Sequence, residues 1–192
     1  MGRPKKYIED EVLLKAMNAF WERGYRNTSI RMLEMKMGIN QFSIYASFKS
    51  KRDLFKKSLK RYEKEIRGNF LGQLERKDSS IIDIRDFMMR FAKAIISRDV
   101  PSGCLMVKTL TDMQGHDQEI KDTVTEFFSS MKLLFLNALT NSQQQGGIRQ
   151  GLSLDHAAEY LVGIAQSLSV IAKLKSQKQV NDYIHFSLNV LN

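Results

Sequence analysis

Proline and cysteine are nearly missing from this chain: its 192 residues include two prolines and one cysteine, Cys104. A single thiol excludes an internal disulfide framework and any Cys-x-x-Cys metal pair, so a reducing compartment, the cytoplasm, is expected. With so little proline, and eleven glycines, the chain favours long helices over short strands and turns. No apolar run approaches the roughly 18 residues of a membrane span, and the N-terminus lacks a signal-peptide core. Catalytic signatures are missing as well. His116, His156 and His185 are far apart and share no HxxxH or HxxE spacing, Cys104 has no base beside it in sequence, and no glycine-rich phosphate loop occurs. The expectation is therefore no enzyme activity, no cofactor and no metal site.

What is present is a core-forming composition with a lopsided charge. Apolar residues make up 43% of the chain and charged residues 27%, which is not a disordered composition and allows one or two domains. The net charge is +9, and its distribution is informative. Residues 1–67 hold 17 Lys/Arg against 8 Asp/Glu, whereas residues 68–192 hold 13 of each. An excess confined to the first third reads as a footprint for a polyanion, nucleic acid first and an anionic membrane second. A solvated basic face is the bland alternative.

The periodicity then divides the chain into helices. Arg3, Lys5 and Lys6 form a short basic arm. Residues 9–24 read as a first helix, with Val12, Leu13, Ala16, Ala19 and Phe20 at helical spacing, an acidic first turn and Gly24 as its stop. Residues 28–37 read as a second helix, capped by Thr28, with Ile30, Leu33 and Met37 on one side. Gly38-Ile39-Asn40 is a turn, and Asn40 caps a third helix over 41–48 with Ile44 and Phe48 buried. Two short helices joined by such a turn make a helix-turn-helix, a spacing that many αα-hairpins share and that the surrounding positive charge strengthens.

The run Thr28-Ser29-Ile30-Arg31, Met37-Gly38-Ile39-Asn40 and Ser43-Ile44-Tyr45-Ala46-Ser47-Phe48-Lys49-Ser50-Lys51-Arg52-Asp53-Leu54-Phe55 resembles the N-terminal domain of TetR/AcrR-family transcriptional regulators over about residues 8–56. Its Tyr-x-x-Phe-x-x-Lys-x-x-Leu-Phe segment is especially specific. The resemblance implies an all-α fold of about nine helices. Residues 1–50 would be a three-helix DNA-binding helix-turn-helix domain. Residues 51–192 would be a helical effector-binding and dimerisation domain, with the helix over 51–67 as connector.

On that fold Gln41, Phe42 and Ser43 open the helix that meets base edges in the major groove. Gln41 suits adenine. Phe42, larger than the residue usual in the family, either touches a thymine methyl or packs on the neighbouring helix. Tyr45 and Lys51 are placed for phosphate by the resemblance, Thr28 and Ser29 by their position at a helix start. Ser50 heads a Ser-x-x-Asp capping pattern. Arg31 is either a guanine reader or an ordinary solvated arginine. Arg3, Lys5 and Lys6 either fray or add salt-dependent phosphate affinity. The further cations of the fourth helix are expected to be mostly solvated.

In the neutral remainder, residues 77–80 read as a linker. Ile84, Phe87, Met88, Phe91 and Ile95 mark a fifth helix, and a short sixth follows Gly103-Cys104-Leu105, a motif resembling one in a branch of the family. Long helices are expected over 117–141, 153–175 and 176–191. The last two are apolar on more than one side. The stripes Leu161, Ala165, Leu168, Ala172 and Ile184, Leu188, Leu191 are assigned to a homodimer interface. Met88, Phe91, Met106, Met113, Phe127, Met131, Phe135 and Tyr160 are candidates for an effector pocket, although each is equally an ordinary core residue.

The function expected is a dimeric, sequence-specific DNA-binding regulator, a repressor released from a palindromic double-stranded operator by an apolar or aromatic small molecule. One alternative is a regulator that activates, or that has no effector. A distant one is a basic protein bound to a membrane surface, which fits less well because the cations of 1–67 surround a compact apolar pattern rather than face one wide apolar side.

Overall fold

The computed structural model describes residues 7–97, 99, 101, 103–113 and 117–191, and among them there are nine α-helices and no strand. They are α1 (Glu9–Arg23), α2 (Ile30–Met37), α3 (Gln41–Phe48), α4 (Lys51–Ile66), α5 (Ile81–Ile96), α6 (Leu105–Met113), α7 (Gln118–Gln144), α8 (Leu154–Leu174) and α9 (Gln177–Asn189). Side-chain caps start most of them. Ser29, Asn40, Ser50 and Asp117 each accept a first-turn N–H, and Ser80 and Ser176 form full capping boxes with Asp83 and Gln179.

The sequence places the second helix's cap one residue early. Ser29 takes that role, because Thr28 is buried and its hydroxyl donates to the Gly24 carbonyl at 2.7 Å. Nor are residues 77–80 a slack linker. Asn141 of α7 donates to the carbonyls of Lys77 and Ser79, both at 2.8 Å, and Ser142 Oγ accepts the Ile81 N–H at 2.7 Å.

The first helices wrap one core: Phe20, Leu33, Ile44, Phe48, Leu54 and Phe55 are all buried. α4 packs along α1 and also meets α6 and α7, so it belongs to both halves of the molecule. A five-residue π-turn, Arg67–Leu71, extends it. A second seam joins α1 to α6. The Trp21 indole N–H donates to the Gly103 carbonyl at 2.7 Å, and Lys108 donates to the carbonyls of Trp21 and Glu22 near the α1 C-terminus. Gly103 is required here twice over. Its φ is +72°, and a Cβ would sit 2.8 Å from the Ser169 carbonyl of α8.

α8 is at the centre of the second half, between α5, α7 and α9. Contrary to the expectation for membrane spans, Leu154–Leu174 is long and apolar enough to cross a bilayer by length and mean hydropathy. Half of its most apolar stretch is buried against its neighbours, as in the core helix of a bundle.

The same helix corrects the expected interface. Leu161, Ala165, Leu168, Ala172, Ile184, Leu188 and Leu191 are all buried inside the single chain. The apolar side chains that face outward are Tyr160, Val170 and Leu174 on α8, with Phe186 and Val190 at its companion's end. Helical periodicity finds the Leu161 stripe, but Val162 and Ile164 beside it are buried as well, and packing against α5 and α7 leaves Tyr160, Val170 and Leu174 outward.

Candidate nucleic-acid interface

The turn between α2 and α3 is built from backbone requirements. Gly38 sits at φ +73°, a left-handed C-cap whose N–H bonds to the Glu34 carbonyl. The first-turn N–H groups of α3 are then taken internally: Gln41 N donates to the Glu34 carboxylate, and Ser43 N to Asn40 Oδ1 at 2.8 Å. What α3 offers outward is side chain. Ile44 and Phe48 are buried, whereas Gln41, Phe42, Tyr45 and Ala46 are exposed.

Phe42 is 82% exposed. Of its two readings, packing on the neighbouring helix is not what the fold adopts, and a phenyl ring stands in water at the start of α3. Ser43 is half-buried. Tyr45 keeps 38% of its surface and adjoins the same face. Arg31 and Ser29 are exposed on α2. Thr28 leaves the candidate set, since its buried hydroxyl is committed to Gly24. Arg3, Lys5 and Lys6 lie outside the described residues. Tyr7 does not: its hydroxyl pairs with Ser47 Oγ at 2.6 Å and donates to the Ser43 carbonyl at 3.3 Å, which holds Tyr7 against α3. A lone tyrosine before a helix gave no periodic signal by which to find it.

Between α3 and α4 the chain makes a tight turn. Lys49 has φ +63° and ψ −50°, the only positive-φ non-glycine among the described residues, and the Ser50 N–H reaches the Phe48 carbonyl at 2.6 Å. That is a γ-turn of the strained kind, held because both flanking helices are anchored. Just beyond it the Lys51 ammonium lies 4.4 Å above the Tyr25 ring, and burial lowers its pKa. An open groove alongside is lined by Lys49, Lys56, Lys57 and Lys60.

The cations of α4 are less solvated than the sequence suggests. Lys57 pairs with Glu9, Arg61 with Asp10 and Glu65, Arg67 with Glu63 and Glu75, and Arg52 with Asp117 and Glu119. Much of the positive excess on α4 is thus spent inside the molecule, which directs attention to the α2–α3 face and the arm.

The second half holds a small cavity, about 10 Å³, between α4, α5, α7 and α8. It is room for about one water. Of the expected effector residues it brings together Phe91, Phe127 and Met131. Met88, Met106 and Phe135 are buried elsewhere in the core, Tyr160 faces outward on α8, and the Met113 side chain lies outside the described residues. Sequence reading missed Tyr62 and Ile66 of α4, together with Phe87, Phe128, Cys104, Ala165 and Gln166. Tyr62 is fully buried, and among the described residues its hydroxyl makes no hydrogen bond of ordinary geometry, with the Cys104 thiol as its polar neighbour. Burial, then the neighbouring Cys104, pushes the phenol pKa well up, so it stays neutral.

A helix-turn-helix with a solvated recognition face, joined through α4 to a helical second domain, defines a DNA-binding regulator. Comparison with known proteins makes the class specific. Residues 12–57 match the family of bacterial regulatory proteins named after tetR, and residues 82–186 match the tetracyclin repressor-like C-terminal domain. The HTH-type transcriptional repressor ComR of Escherichia coli (strain K12) is 30% identical over 173 residues, covering 90% of this chain and 82% of that one. The uncharacterized regulator YezE of Bacillus subtilis (strain 168) is 27% identical over the full length of both. Among solved structures, the TetR family regulator CifR, a cysteine mutant with 26-bp double-strand operator DNA, superposes with a TM-score of 0.88 over 99% of this chain and 100% of that one. Its identity of 22% makes this a likeness of fold. The chain belongs to the TetR family: it is a DNA-binding transcriptional regulator and not an enzyme.

Proposed function

We propose that the chain is a cytoplasmic, homodimeric repressor that binds a pseudo-palindromic operator and is released by a neutral, largely apolar small molecule. The observation that carries the DNA part is the exposed, side-chain-only face at the start of α3. Gln41 and Phe42 are the base readers, Ser43 an auxiliary contact, and Tyr45, Ser29 and Lys51 the phosphate contacts. Arg31 is a further candidate contact, and Arg3, Lys5 and Lys6 are assigned to salt-dependent phosphate affinity.

The dimer is supported by the outward stripe of α8, Tyr160, Gly163, Ser167, Val170 and Leu174. Its alternating spacing of three and four makes a seam, and the glycine admits a close partner. Phe186, 74% exposed, and Val190 extend it onto α9. Pairing this surface with its copy removes apolar area that water otherwise solvates.

The effector reading is supported by the cavity at Tyr62. Its lining is mainly aromatic and aliphatic, it carries no charged group, and its buried phenol finds no acceptor of ordinary geometry among the described residues. A ligand with one hydrogen-bond acceptor satisfies that hydroxyl. Because the cavity is small, entry must spread α4 from α5, α7 and α8, which moves the helix that carries Lys51. Linkage then makes DNA weaken effector binding by the same factor.

The test is selection of bound duplexes from a random-sequence library. A pair of inverted half-sites about one helical turn apart is the expected result. Recovery of no preferred sequence from a folded protein sinks the reading.

A further inference from the structure

One group of charges ties the two halves together without belonging to either core. Arg52, in the first turn of α4, donates from Nε to Asp117 Oδ2 at 2.5 Å and from a terminal nitrogen to Asp117 Oδ1 at 3.0 Å. The same terminal nitrogen donates to Glu119, whose carboxylate also accepts from Lys56 at 3.0 Å. Asp117 is the N-cap of α7, and Glu119 lies in its first turn. Two helix N-termini from different halves are thus bridged by two cations and two anions.

The charge placement is asymmetric. Acids at the start of α7 suit its dipole, but Arg52 at the start of α4 opposes that helix's dipole. Without the acids, the first turn of α4 carries an adverse charge right behind the strained turn at Lys49. The neighbourhood is continuous with the candidate DNA face. Lys51 sits on the Tyr25 ring, Tyr25 packs on Phe20 and Phe55, and Asp117 and Arg52 both act electrostatically on the Tyr25 hydroxyl.

We propose that Asp117 and Glu119, although they sit in the second domain, are positioning residues for DNA binding: by holding Arg52 they keep the first turn of α4, and with it Lys51 and the end of α3, in the register that fits an operator. The inference rests on the reading of Gln41–Lys51 as the DNA face. It makes a prediction opposite in sign to simple electrostatics. Removing two acids raises net positive charge and by counterion release strengthens binding to any duplex. Loosening the α4 turn weakens binding to the operator alone.

The test measures binding of Asp117→Asn/Glu119→Gln to two probes at fixed salt, the duplex selected by the wild-type protein and a scrambled duplex of equal length. Asparagine preserves the cap of α7. The expected outcome is a loss of roughly fivefold or more on the selected duplex with unchanged or tighter binding to the scrambled one. Parallel strengthening on both, or no change on the selected duplex, overturns the proposal. Arg52→Gln closes a mutant cycle that stands whatever the melting temperatures of the variants. Since all three substitutions act on the hold of Asp117 and Glu119 on Arg52, the triple variant is expected to lose no more specific affinity than the double, and additive losses overturn the proposal. A wild-type protein that selects no duplex instead refutes the DNA-face reading itself.

Discussion

Single residues on this molecule are decided by what surrounds them. Phe42 and Phe48 lie six positions apart on one short helix, yet one ring stands in water and the other is buried. Phe42→Ala is expected to leave the melting temperature nearly unchanged, because exposed substitutions shift stability by about 0.5 kcal/mol or less. Affinity for the selected duplex should fall, read by fluorescence anisotropy, and a drop of several degrees in melting would show that the ring packs after all. Tyr62 is the reverse case. Its buried hydroxyl finds no acceptor of ordinary geometry among the described residues, and an unsatisfied buried polar group costs about 1–3 kcal/mol. Tyr62→Phe is therefore expected to stabilise the chain by about 1 kcal/mol in thermal or urea unfolding while removing the effector's proposed anchor. Destabilisation by that substitution would mean that the phenol already has a partner.

Among the helices, the elements that sequence renders well are those with one apolar stripe. α1 through α5 appear close to the expected residues because a half-buried helix repeats its apolar residues every three or four positions and its caps are local. α8 and α9 carry apolar residues off their main stripes, and there periodicity alone does not say which of them stay in water. The choice between them is made by α5 and α7, far away in sequence. The Leu161 stripe therefore went to the core, and the surface proposed for pairing became Tyr160, Val170, Leu174 and Phe186. Phe186→Glu places a charge on the α9 part of that surface. It is expected to turn a dimer into a monomer in analytical ultracentrifugation with little loss of helix content by circular dichroism. A variant that stays dimeric would move the interface elsewhere.

For the molecule as a whole, the two halves are joined by α4, the Trp21–Gly103 seam and the Arg52 ion cluster. The last of these has a pH signature. The Asp117 carboxyl lies below its ordinary pKa, chiefly through the Arg52 hydrogen bond, and Glu119 lies below its own through Lys56 and then Arg52. A carboxylate depressed in the folded state stabilises it at all pH values above its unfolded pKa, and that contribution goes as pH falls through the depressed value. Operator affinity is thus expected to show no change from this cluster between about pH 5 and pH 8, since ordinary carboxylates titrate near pH 4. Any melting difference between wild type and Asp117→Asn/Glu119→Gln should shrink below about pH 4. A difference that persists there, in a melting series across pH, would show that the carboxylate charge is not what holds Arg52.

The sequence by itself determined the all-helical class, the positions of most helices, the helix-turn-helix and the confinement of positive charge to residues 1–67. Each of these follows from local periodicity, caps and composition, which need only neighbours within a few residues. Tertiary structure alone decided that Thr28 bonds inward, that Tyr7 bonds to α3, that many cations of α4 are paired with carboxylates, and that Asp117 and Glu119 reach Arg52. Those facts depend on residues brought together across tens of positions, where burial and charge pairing are settled by packing and leave no repeating trace along the chain.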